Sequence, residues 1–206
     1  MFNRIAHRYD LLNRLLSMRQ DVAWRKRILR NLPDRSNLRV LDVATGTADV
    51  LLALAKSPRV AGGVGLDMSE GMLAFAQPKL AQRGLGDRYT LVRGDGTRLP
   101  FATGSFDIAT IAFGIRNVPD VPAGLSEMRR ILAPGGRAMV LEFSLPGNAL
   151  FRRLYLFYFR HILPRLGGMI SGDAHAYRDL NQTVETFPYG EAFAQLMRTA
   201  GFRSVT

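Results

Sequence analysis

Carboxylates close or follow three short apolar segments of this sequence, and the first comes with a glycine-bearing turn. The run Leu-Asp-Val-Ala-Thr-Gly-Thr at 41–47 places Gly46 shortly after Asp42. Such a turn lets the backbone and the N–H groups of a helix N-terminus approach a ligand closely. Asp67 follows by about 20 residues, the spacing at which a carboxylate accepts hydrogen bonds from ribose hydroxyls. With Asp95, in Arg-Gly-Asp-Gly, these residues predict a site for a ligand that has a ribose, an adenine and a small polar tail.

The glycine pattern argues against two common phosphate-binding loops. Dinucleotide-binding proteins carry Gly-x-Gly-x-x-Gly after the first strand, because two phosphates need backbone room. Here positions 44 and 48 are alanine, and Gly46 stands alone in its loop. No Gly-Lys-Ser/Thr follows, as a nucleoside-triphosphate loop requires. Each carboxylate taken singly is also compatible with an ordinary turn, whereas three at corresponding strand ends favour a ligand site.

The composition bounds the class of protein. The 206 residues are 47% hydrophobic, enough for one cored domain, and they include no cysteine, which excludes disulfides and cysteine-ligated metals. His7, His161 and His175 have no partner at informative spacing, so we predict no metal site and no histidine base. The net charge of +11 is almost wholly arginine. Genome composition explains that bias as well as a nucleic-acid or membrane surface does.

Apolar strands and helices alternate along most of the chain. We predict strands at 39–43, 60–66, 89–93, 106–112 and 137–143, and helices at 50–54, 69–83 (capped by Ser69) and 121–132. This alternation predicts an α/β fold with a Rossmann-like, doubly wound, mostly parallel sheet. The loops that bear Gly46, Asp67 and Asp95 then converge at the carboxyl edge of the strands.

The chain is predicted to form a single domain, 1–206, with additions at both ends of the sheet. Residues 1–35 form a helical cap (helices at 1–16 and 21–32), 38–145 the cofactor-binding core, 146–187 a substrate- or membrane-facing insertion, and 188–206 a final helix and the start of a strand. In the insertion, 150–163 is an aromatic and basic helix. The run 202–206 resembles the first residues of a strand, and the given sequence ends there. We therefore expect that the C-terminal strands are truncated.

Three stretches carry a resemblance to a known family. They are the opening Met-Phe-Asn-Arg-Ile-Ala-His-Arg-Tyr-Asp-Leu-Leu-Asn, the run Phe-Gly-Ile-Arg-Asn-Val at 113–118, and Leu-Glu-Phe-Ser at 141–144. Together with Ser17, Trp24-Arg25, Leu-Pro-Phe at 99–101 and Pro-Gly-Gly at 134–136, they resemble the ubiquinone/menaquinone biosynthesis C-methyltransferases (UbiE type), within the class I S-adenosylmethionine methyltransferases. The resemblance covers essentially the whole chain.

The resemblance implies S-adenosyl-L-methionine as the cofactor and a set of residues that contact it. We expect these contacts from Asp42, Gly46, Thr47, Asp67, Met68, Asp95, Gly96 and Ala112. The chain departs from the family at Ala48, where glycine is usual, and at Ala112, where serine is frequent. It also departs at 177–183, in the substrate region, which bears on the type of quinone more than on the cofactor.

The implied reaction is C-methylation of a demethylated prenyl quinol, and we expect demethylmenaquinol to menaquinol in menaquinone biosynthesis. Arg116 and Asn117, just beyond the fourth strand, are expected to hold and polarise the quinol oxygens, since arginine stabilises a phenolate. Tyr9 is expected to close the site and join proton transfer through water. Alternatives are a ubiquinone-pathway benzoquinol and another small-molecule methyltransferase of this fold.

Other classes of function and partner remain alternatives. An RNA methyltransferase would suit the charge, but the Asn/Asp-Pro-Pro-Tyr/Phe type of stretch is missing after the fourth strand, so no nucleic-acid partner is expected. A non-catalytic module that retains the cofactor pocket is another. Residues 151–165 suit peripheral contact with a membrane, a wall of the substrate site or a packed helix. We expect a cytoplasmic protein, which would be membrane-peripheral if that segment binds lipid. A homodimer is an open alternative to a monomer.

Overall fold

A computed structural model describes residues 24, 27–145, 147–158, 160 and 183–206. Its centre is a five-stranded, all-parallel sheet in the order β3-β2-β1-β4-β5. The strands are β1 (Leu38–Val43), β2 (Val60–Asp67), β3 (Tyr89–Arg93), β4 (Phe106–Ala112) and β5 (Leu132–Leu141). The prediction of a doubly wound α/β sheet is confirmed.

The register places β1 at the middle of the sheet. Leu41 pairs with Val64 of β2 on one side and with Ala109 of β4 on the other. Strand order reverses at β1, because β2 and β3 extend to one side of it and β4 and β5 to the other. In open parallel sheets, ligands bind at the carboxyl ends of the strands where this reversal occurs.

Helices cover the sheet, and the described residues form two cores. The helices are α1 (Asp49–Leu54), α2 (Glu70–Ala81), α3 (Val121–Arg130), α4 (Ala149–Phe157) and α5 (Glu191–Thr199), and Ile115–Asn117 is a 3₁₀ turn. Val40 and Ile108 belong to one core, whereas their chain neighbours Leu41 and Ala109 belong to the other. Because successive strand residues point to opposite faces, the two cores lie on opposite sides of the sheet.

Helix starts follow the predicted capping chemistry. Ser69 caps α2, and its hydroxyl accepts a hydrogen bond from the Met72 N–H at 3.2 Å. Asp120 caps α3 in the same way, through the Ala123 N–H at 2.9 Å. These side chains satisfy N–H groups that have no partner inside the helix.

The start of β5 corrects the sequence analysis. The predicted helix 121–132 ends at Arg130, and the strand expected at 137–143 begins at Leu132 instead. Leu132 already pairs with Phe106, and the register shifts before Arg137 pairs with Ile108. The Pro-Gly-Gly run therefore forms an irregularity inside the strand, with Gly135 at a φ of +74°.

The predicted terminal strand at 202–206 is also wrong. These residues have no strand structure, and the Phe202 N–H donates to the Met197 carbonyl, which closes the end of α5. Gly201 ends the helix, with a φ of +92°. The Phe202 side chain packs on the core that contains Leu125 of α3. Packing of the Phe202 ring and the hydrogen bond to Met197 hold the chain against the end of α5 instead of in a strand.

Parts of two other predictions fall within the structure. Residues 27–30 are helical, in agreement with the second predicted cap helix, whereas 1–16 lies outside the described residues. The predicted helix 150–163 corresponds to α4, which ends at Phe157; most of the remainder, 161–163, lies outside the described residues. None of the described helices is long and apolar enough to cross a bilayer.

Candidate functional site

Asp42 fixes the loop that follows β1. Its carboxylate accepts the Thr45 hydroxyl at 2.7 Å and the Thr110 hydroxyl at 2.6 Å, one on each oxygen. The residue is only 1% exposed. A buried carboxylate is costly without hydrogen-bond donors, so Asp42 must keep both threonines in place. Because Thr110 belongs to β4, this requirement fixes the loop against that strand. Asp42 positions the loop through these hydrogen bonds, and its predicted contact with the cofactor stays a prediction.

The backbone of this loop has three left-handed residues. Ala44, Gly46 and Ala48 have φ values of 52°, 56° and 66°. A side chain built on Gly46 would meet no atom within 4 Å, so the surface at this residue is open to a ligand. Ala48, at the position where the family usually has glycine, adopts the left-handed geometry at a cost of about 1–2 kcal/mol.

Asp67 joins the ends of β1 and β2. One carboxylate oxygen accepts the Gly46 N–H and the other accepts the Ser69 N–H, both at 2.8 Å. Burial raises the pKa of the Asp67 carboxyl, against the opposing effect of N–H donors from Ser69, Gly46 and Met68. Each carboxylate oxygen has further acceptor capacity. Two such oxygens beside an open glycine fit the paired hydroxyls of a ribose.

Asp95, Gly96 and Met68 lie at the neighbouring strand ends. The Asp95 carboxylate accepts the Thr97 N–H at 2.8 Å, and this hydrogen bond holds the pKa of Asp95 below its usual range. A side chain at Gly96 would come within 3.1 Å of Val43, which keeps this loop close to the end of β1. The Met68 side chain is 56% exposed. An exposed thioether next to Asp67 is suited to contact the face of an adenine.

Thr47 and Ala112 have less open surroundings. The Thr47 hydroxyl is buried and accepts a hydrogen bond from the Lys79 ammonium at 3.1 Å. Lys79 also binds the Asp49 carboxylate at 2.6 Å, so this cluster ties α1 to α2. Ala112 is half-buried at the end of β4. The contact of either residue with the cofactor stays a prediction. At Thr47 we expect it from the backbone, because the hydroxyl binds Lys79.

The loops after β1 and β4 touch each other. A side chain on Gly114 would lie 2.6 Å from the Ala44 methyl group, closer than any real contact of that kind. The preceding residue, Phe113, has a φ of 57°, and its N–H donates to the Leu141 carbonyl of β5 at 2.8 Å. The run Phe-Gly-Ile-Arg-Asn is therefore held directly beside the loop that bears Gly46.

Arg116 forms a buried ion pair with Glu142, which follows β5. The Arg116 Nη1 atom lies 2.5 Å from Glu142 Oε1, and the two side chains are 7% and 10% exposed. The same oxygen accepts the Phe143 N–H at 2.9 Å. The guanidinium also lies 5.3 Å from the centre of the Phe143 ring. Arg116 is thus no surface arginine, because the fold holds its charge in place from two sides.

Aromatic side chains surround this ion pair. Trp24 and Phe113 lie 5.6 Å apart between ring centres, and Phe143 lies 4.8 Å from Phe113. Tyr155 of α4 is near enough to Arg116 for their charges to interact, and burial raises the pKa of the Tyr155 hydroxyl. Aromatic rings and one fixed cation next to the loop that bears Gly46 form a surface suited to a flat, oxygen-bearing ring.

The structure brings some predicted substrate residues together and adds others. Arg116 is at the aromatic group, whereas Asn117 is exposed and its N–H donates to the Gly114 carbonyl at 3.0 Å. Tyr9 lies outside the described residues. Glu142, which pairs with Arg116, was not among the predicted site residues. Its signal was available, because Glu142 follows an apolar strand in the same way as the carboxylates used to predict the site.

Comparison with known proteins decides what this site belongs to. A model of the ubiE/COQ5 methyltransferase family matches residues 1–206. The chain belongs to that family. As a member of the ubiE/COQ5 family it is an S-adenosylmethionine-dependent methyltransferase.

Curated relatives cover nearly the whole chain. The demethylmenaquinone methyltransferase of Thermus thermophilus is 48% identical over 98% of this chain and 91% of its own length. The ubiquinone/menaquinone biosynthesis C-methyltransferase UbiE of Geobacter sulfurreducens is 48% identical over 98% of this chain and 79% of its own length. The demethylmenaquinone methyltransferase of Geobacillus kaustophilus is 41% identical over 100% and 88%.

A solved structure supports the fold of this family member. An S-adenosyl-L-methionine-dependent methyltransferase from Methanococcus maripaludis has a TM-score of 0.71 over 99% of this chain and 87% of that chain. The two sequences are 20% identical. The similarity therefore concerns the Rossmann-like architecture alone.

Proposed function

We propose that this methyltransferase transfers the methyl group of S-adenosylmethionine to a ring carbon of a demethylated prenyl quinol, and that the quinol is demethylmenaquinol. The observation that carries the proposal is the buried Arg116 among aromatic rings, directly beside the cofactor loop. The names of the curated relatives from Thermus and Geobacillus agree with this choice of substrate. The product is then menaquinol.

The cofactor side of the reaction rests on the carboxyl edge of β1, β2 and β3. Asp67 accepts hydrogen bonds from the ribose hydroxyls, Met68 and Asp95 contact the adenine, and the backbone at Gly46 approaches the polar tail. Bound S-adenosylmethionine supplies an electrophilic methyl group. The chain supplies orientation, since it places that methyl group opposite the ring carbon.

The substrate side rests on Arg116. Loss of a proton from a ring hydroxyl gives a phenolate, which pushes electron density onto the neighbouring ring carbon. A fixed guanidinium stabilises the phenolate oxygen as its charge develops, and it does so strongly where water is excluded. Asn117 and Tyr9 are the further residues that we propose to contact the quinol oxygens. The rings of Phe113 and Phe143 pack against the planar substrate.

The prenyl tail of the substrate suggests a place for α4 in the same function. Leu150, Phe151, Leu154 and Phe157 are all exposed on this helix, by 58–67%. Their spacing puts them on one side of a helix. We propose that this apolar side contacts the membrane surface, where a prenylated quinol resides, with Arg153 exposed beside it toward anionic headgroups.

A product assay tests the proposed reaction. The full-length protein is incubated with S-adenosylmethionine and with reduced demethylmenaquinone or the reduced demethyl-benzoquinone of the ubiquinone pathway, and products are identified by mass. We expect one added methyl group on the naphthoquinol ring. A product from the benzoquinol alone would assign the enzyme to the other pathway, and no product from either would refute the proposal.

Variants of Arg116 test the role of the residue that carries the proposal. Arg116→Ala should keep S-adenosylmethionine affinity but lose about 100-fold or more in kcat, the loss typical for removal of a group that stabilises an oxyanion. Arg116→Lys should recover part of it, because the charge remains. Arg198→Ala, which removes an exposed ion pair with Glu191, is the control. Wild-type turnover in Arg116→Ala would remove Arg116 from the mechanism.

A further inference from the structure

The ion pair between Arg116 and Glu142 uses only part of its hydrogen-bonding capacity. A guanidinium and a carboxylate can form two parallel N–H···O bonds. Here the contact runs through Nη1 and Oε1 alone. Arg116 Nε and Glu142 Oε2 are buried, and neither has a hydrogen-bond partner among the residues that the structure describes. One ion pair thus carries both an unpaired donor and an unpaired acceptor.

A hydroxyl group complements this pair of atoms. It offers an acceptor of the kind that Arg116 Nε lacks and a donor of the kind that Glu142 Oε2 lacks. Buried polar atoms without partners are costly, and native proteins nearly always satisfy them with protein, water or ligand groups. The rings of Phe113 and Phe143 next to the pair favour a hydroxyl that is attached to an aromatic ring.

The other charged groups of the site are unsuited to take a proton from that hydroxyl. Arginine stays protonated in proteins, so Arg116 is a donor only. Asp42 is enclosed by two threonine hydroxyls, and Asp67 binds the N–H groups of its own loop. Among the described residues at the aromatic group, Glu142 is the carboxylate whose second oxygen is unused.

We propose that Glu142 accepts the proton of the quinol hydroxyl, and that Arg116 Nε and Glu142 Oε2 together bind that hydroxyl. This proposal rests on the proposed function, because it assigns the base of the same reaction. It goes beyond stabilisation of a phenolate by Arg116, since it identifies where the proton goes and why the arginine is paired.

The step balances in protons and electrons. The hydroxyl proton moves to Glu142 Oε2, and the phenolate pushes a ring electron pair into a new bond to the methyl carbon. The bond from that methyl carbon to sulfur breaks, and its electron pair stays on sulfur. The methylated ring carbon then loses its hydrogen as a proton to water, and the ring oxygen recovers the proton from Glu142. One proton is released in total, and Glu142 ends ionised.

The placement of the charges favours this transfer. Before the step, the negative charge is on Glu142 and is paired with the Arg116 guanidinium; afterwards it is on the phenolate oxygen, hydrogen-bonded to the same guanidinium. No charge is created or left unpaired in a buried place. The pair therefore keeps one negative charge next to the guanidinium throughout the transfer.

Binding of simple aromatics tests the hydroxyl site without any turnover. The probes are 1-naphthol and 1-methoxynaphthalene, and titration calorimetry measures their affinity for the wild-type protein loaded with S-adenosylhomocysteine. We expect at least about tenfold tighter binding of 1-naphthol, since only it can donate to a charged acceptor. Equal affinities would overturn the proposal, and this outcome does not depend on the folding of any variant.

Glu142→Gln tests the proton transfer itself. This variant keeps the size of the side chain and an oxygen for Arg116, but it is no base. We expect kcat to fall by about 100-fold or more, the usual contribution of general base catalysis, with KM for the quinol and Kd for S-adenosylmethionine within about threefold of wild type. Glu191→Gln, at an exposed ion pair, should match wild type. A wild-type kcat in Glu142→Gln, or a parallel loss of cofactor affinity, would overturn the base assignment.

The two experiments separate this inference from the proposed function. A protein that prefers 1-naphthol but methylates neither quinol would refute the quinol reaction and support the hydroxyl site for another aromatic alcohol. A protein that methylates demethylmenaquinol but does not distinguish 1-naphthol from its methyl ether would support the reaction and refute the role of Glu142.

Discussion

At the scale of the residue, burial and partners give three similar carboxylates different roles. Asp42, Asp67 and Glu142 all lie at the carboxyl ends of strands. Asp42 is buried, accepts two threonine hydroxyls and positions the loop. Asp67 has a raised pKa because it is buried, and it keeps acceptor capacity toward the open side of Gly46. Glu142 binds Arg116 through one oxygen, and its other oxygen has no hydrogen-bond partner among the described residues.

Asp67→Asn should weaken S-adenosylmethionine binding by about 10- to 100-fold, because a hydrogen bond to a charged acceptor contributes about 1.5–3 kcal/mol. Wild-type affinity should also fall as the pH decreases, because protonation removes the acceptor. Since burial raises the pKa of Asp67, this fall begins above the pH range of an ordinary aspartate. Titration calorimetry from neutral to mildly acidic pH measures both effects.

The exposed Asp34 provides the control for this prediction, since its side chain makes only a 3.8 Å contact with Arg59. Asp34→Asn should bind the cofactor as wild type does. If Asp67→Asn bound the cofactor with wild-type affinity and the same pH dependence, Asp67 would have no part in ribose recognition.

At the scale of the element, contacts between loops join the cofactor and substrate sides of the site. Pairing of β4 with both β1 and β5 brings the loop after β4 between the other two strand ends. Gly114 then lies against Ala44, and Phe113 is hydrogen-bonded to Leu141. In the proposed function, the distance between the methyl donor and the quinol ring would depend on how closely these two loops approach each other.

Gly114→Ala should disturb this approach, because its methyl group would lie 2.6 Å from that of Ala44. We expect a loss of about 1–3 kcal/mol in the free energy of unfolding, the usual cost of overpacking, together with weaker cofactor binding. Urea denaturation and calorimetry measure the two effects.

A second substitution tests the reason for that loss. Ala44→Gly removes the opposing methyl group at a left-handed position that glycine prefers, so the double variant should recover most of the stability. Gly86→Ala, where the new methyl group meets nothing within 4 Å, should be close to wild type. A double variant as unstable as Gly114→Ala would show that the contact with Ala44 is not the cause.

At the scale of the whole molecule, charge and exposed apolar area are distributed to suit an anionic surface. The net charge is +11, from 28 basic and 17 acidic side chains. The four exposed apolar residues of α4 form one side of a single helix, whereas the other large exposed apolar side chains of the described part are Met68, Phe75 and Tyr189. Tyr155 of the same helix interacts electrostatically with Arg116, so the proposed membrane contact of α4 adjoins the proposed substrate side.

The protein should sediment with vesicles that contain anionic lipid, and less so as the salt concentration rises, because salt screens the arginine charges. Replacing Phe151 and Leu154 by serine should reduce binding by about tenfold or more, since burial of each such side chain contributes about 1.5–3 kcal/mol. Phe75→Ser, at an exposed phenylalanine of α2, is the control. Equal sedimentation of both variants, or none by wild type, would refute the membrane contact.

Most of the fold could be predicted from the sequence, because it depends on local patterns. The strands Tyr89–Arg93 and Phe106–Ala112 have the predicted bounds, and Ser69 caps α2 as expected. Periodicity and capping chemistry act within a few residues, so they are visible in one chain. The start of β5 was missed since its first residue is placed by pairing with Phe106, a contact distant in sequence.

The site divides in the same way. The sequence by itself placed a glycine turn and Asp67 at corresponding strand ends, and this placement predicts a site for a ribose-bearing cofactor there. Only the tertiary structure decided that Arg116 is buried against Glu142, 26 residues away. That pairing follows from the register in which Ala112 lies opposite Leu141. Register is a property of the packed sheet, and no spacing along one chain specifies which of several charges will be enclosed together.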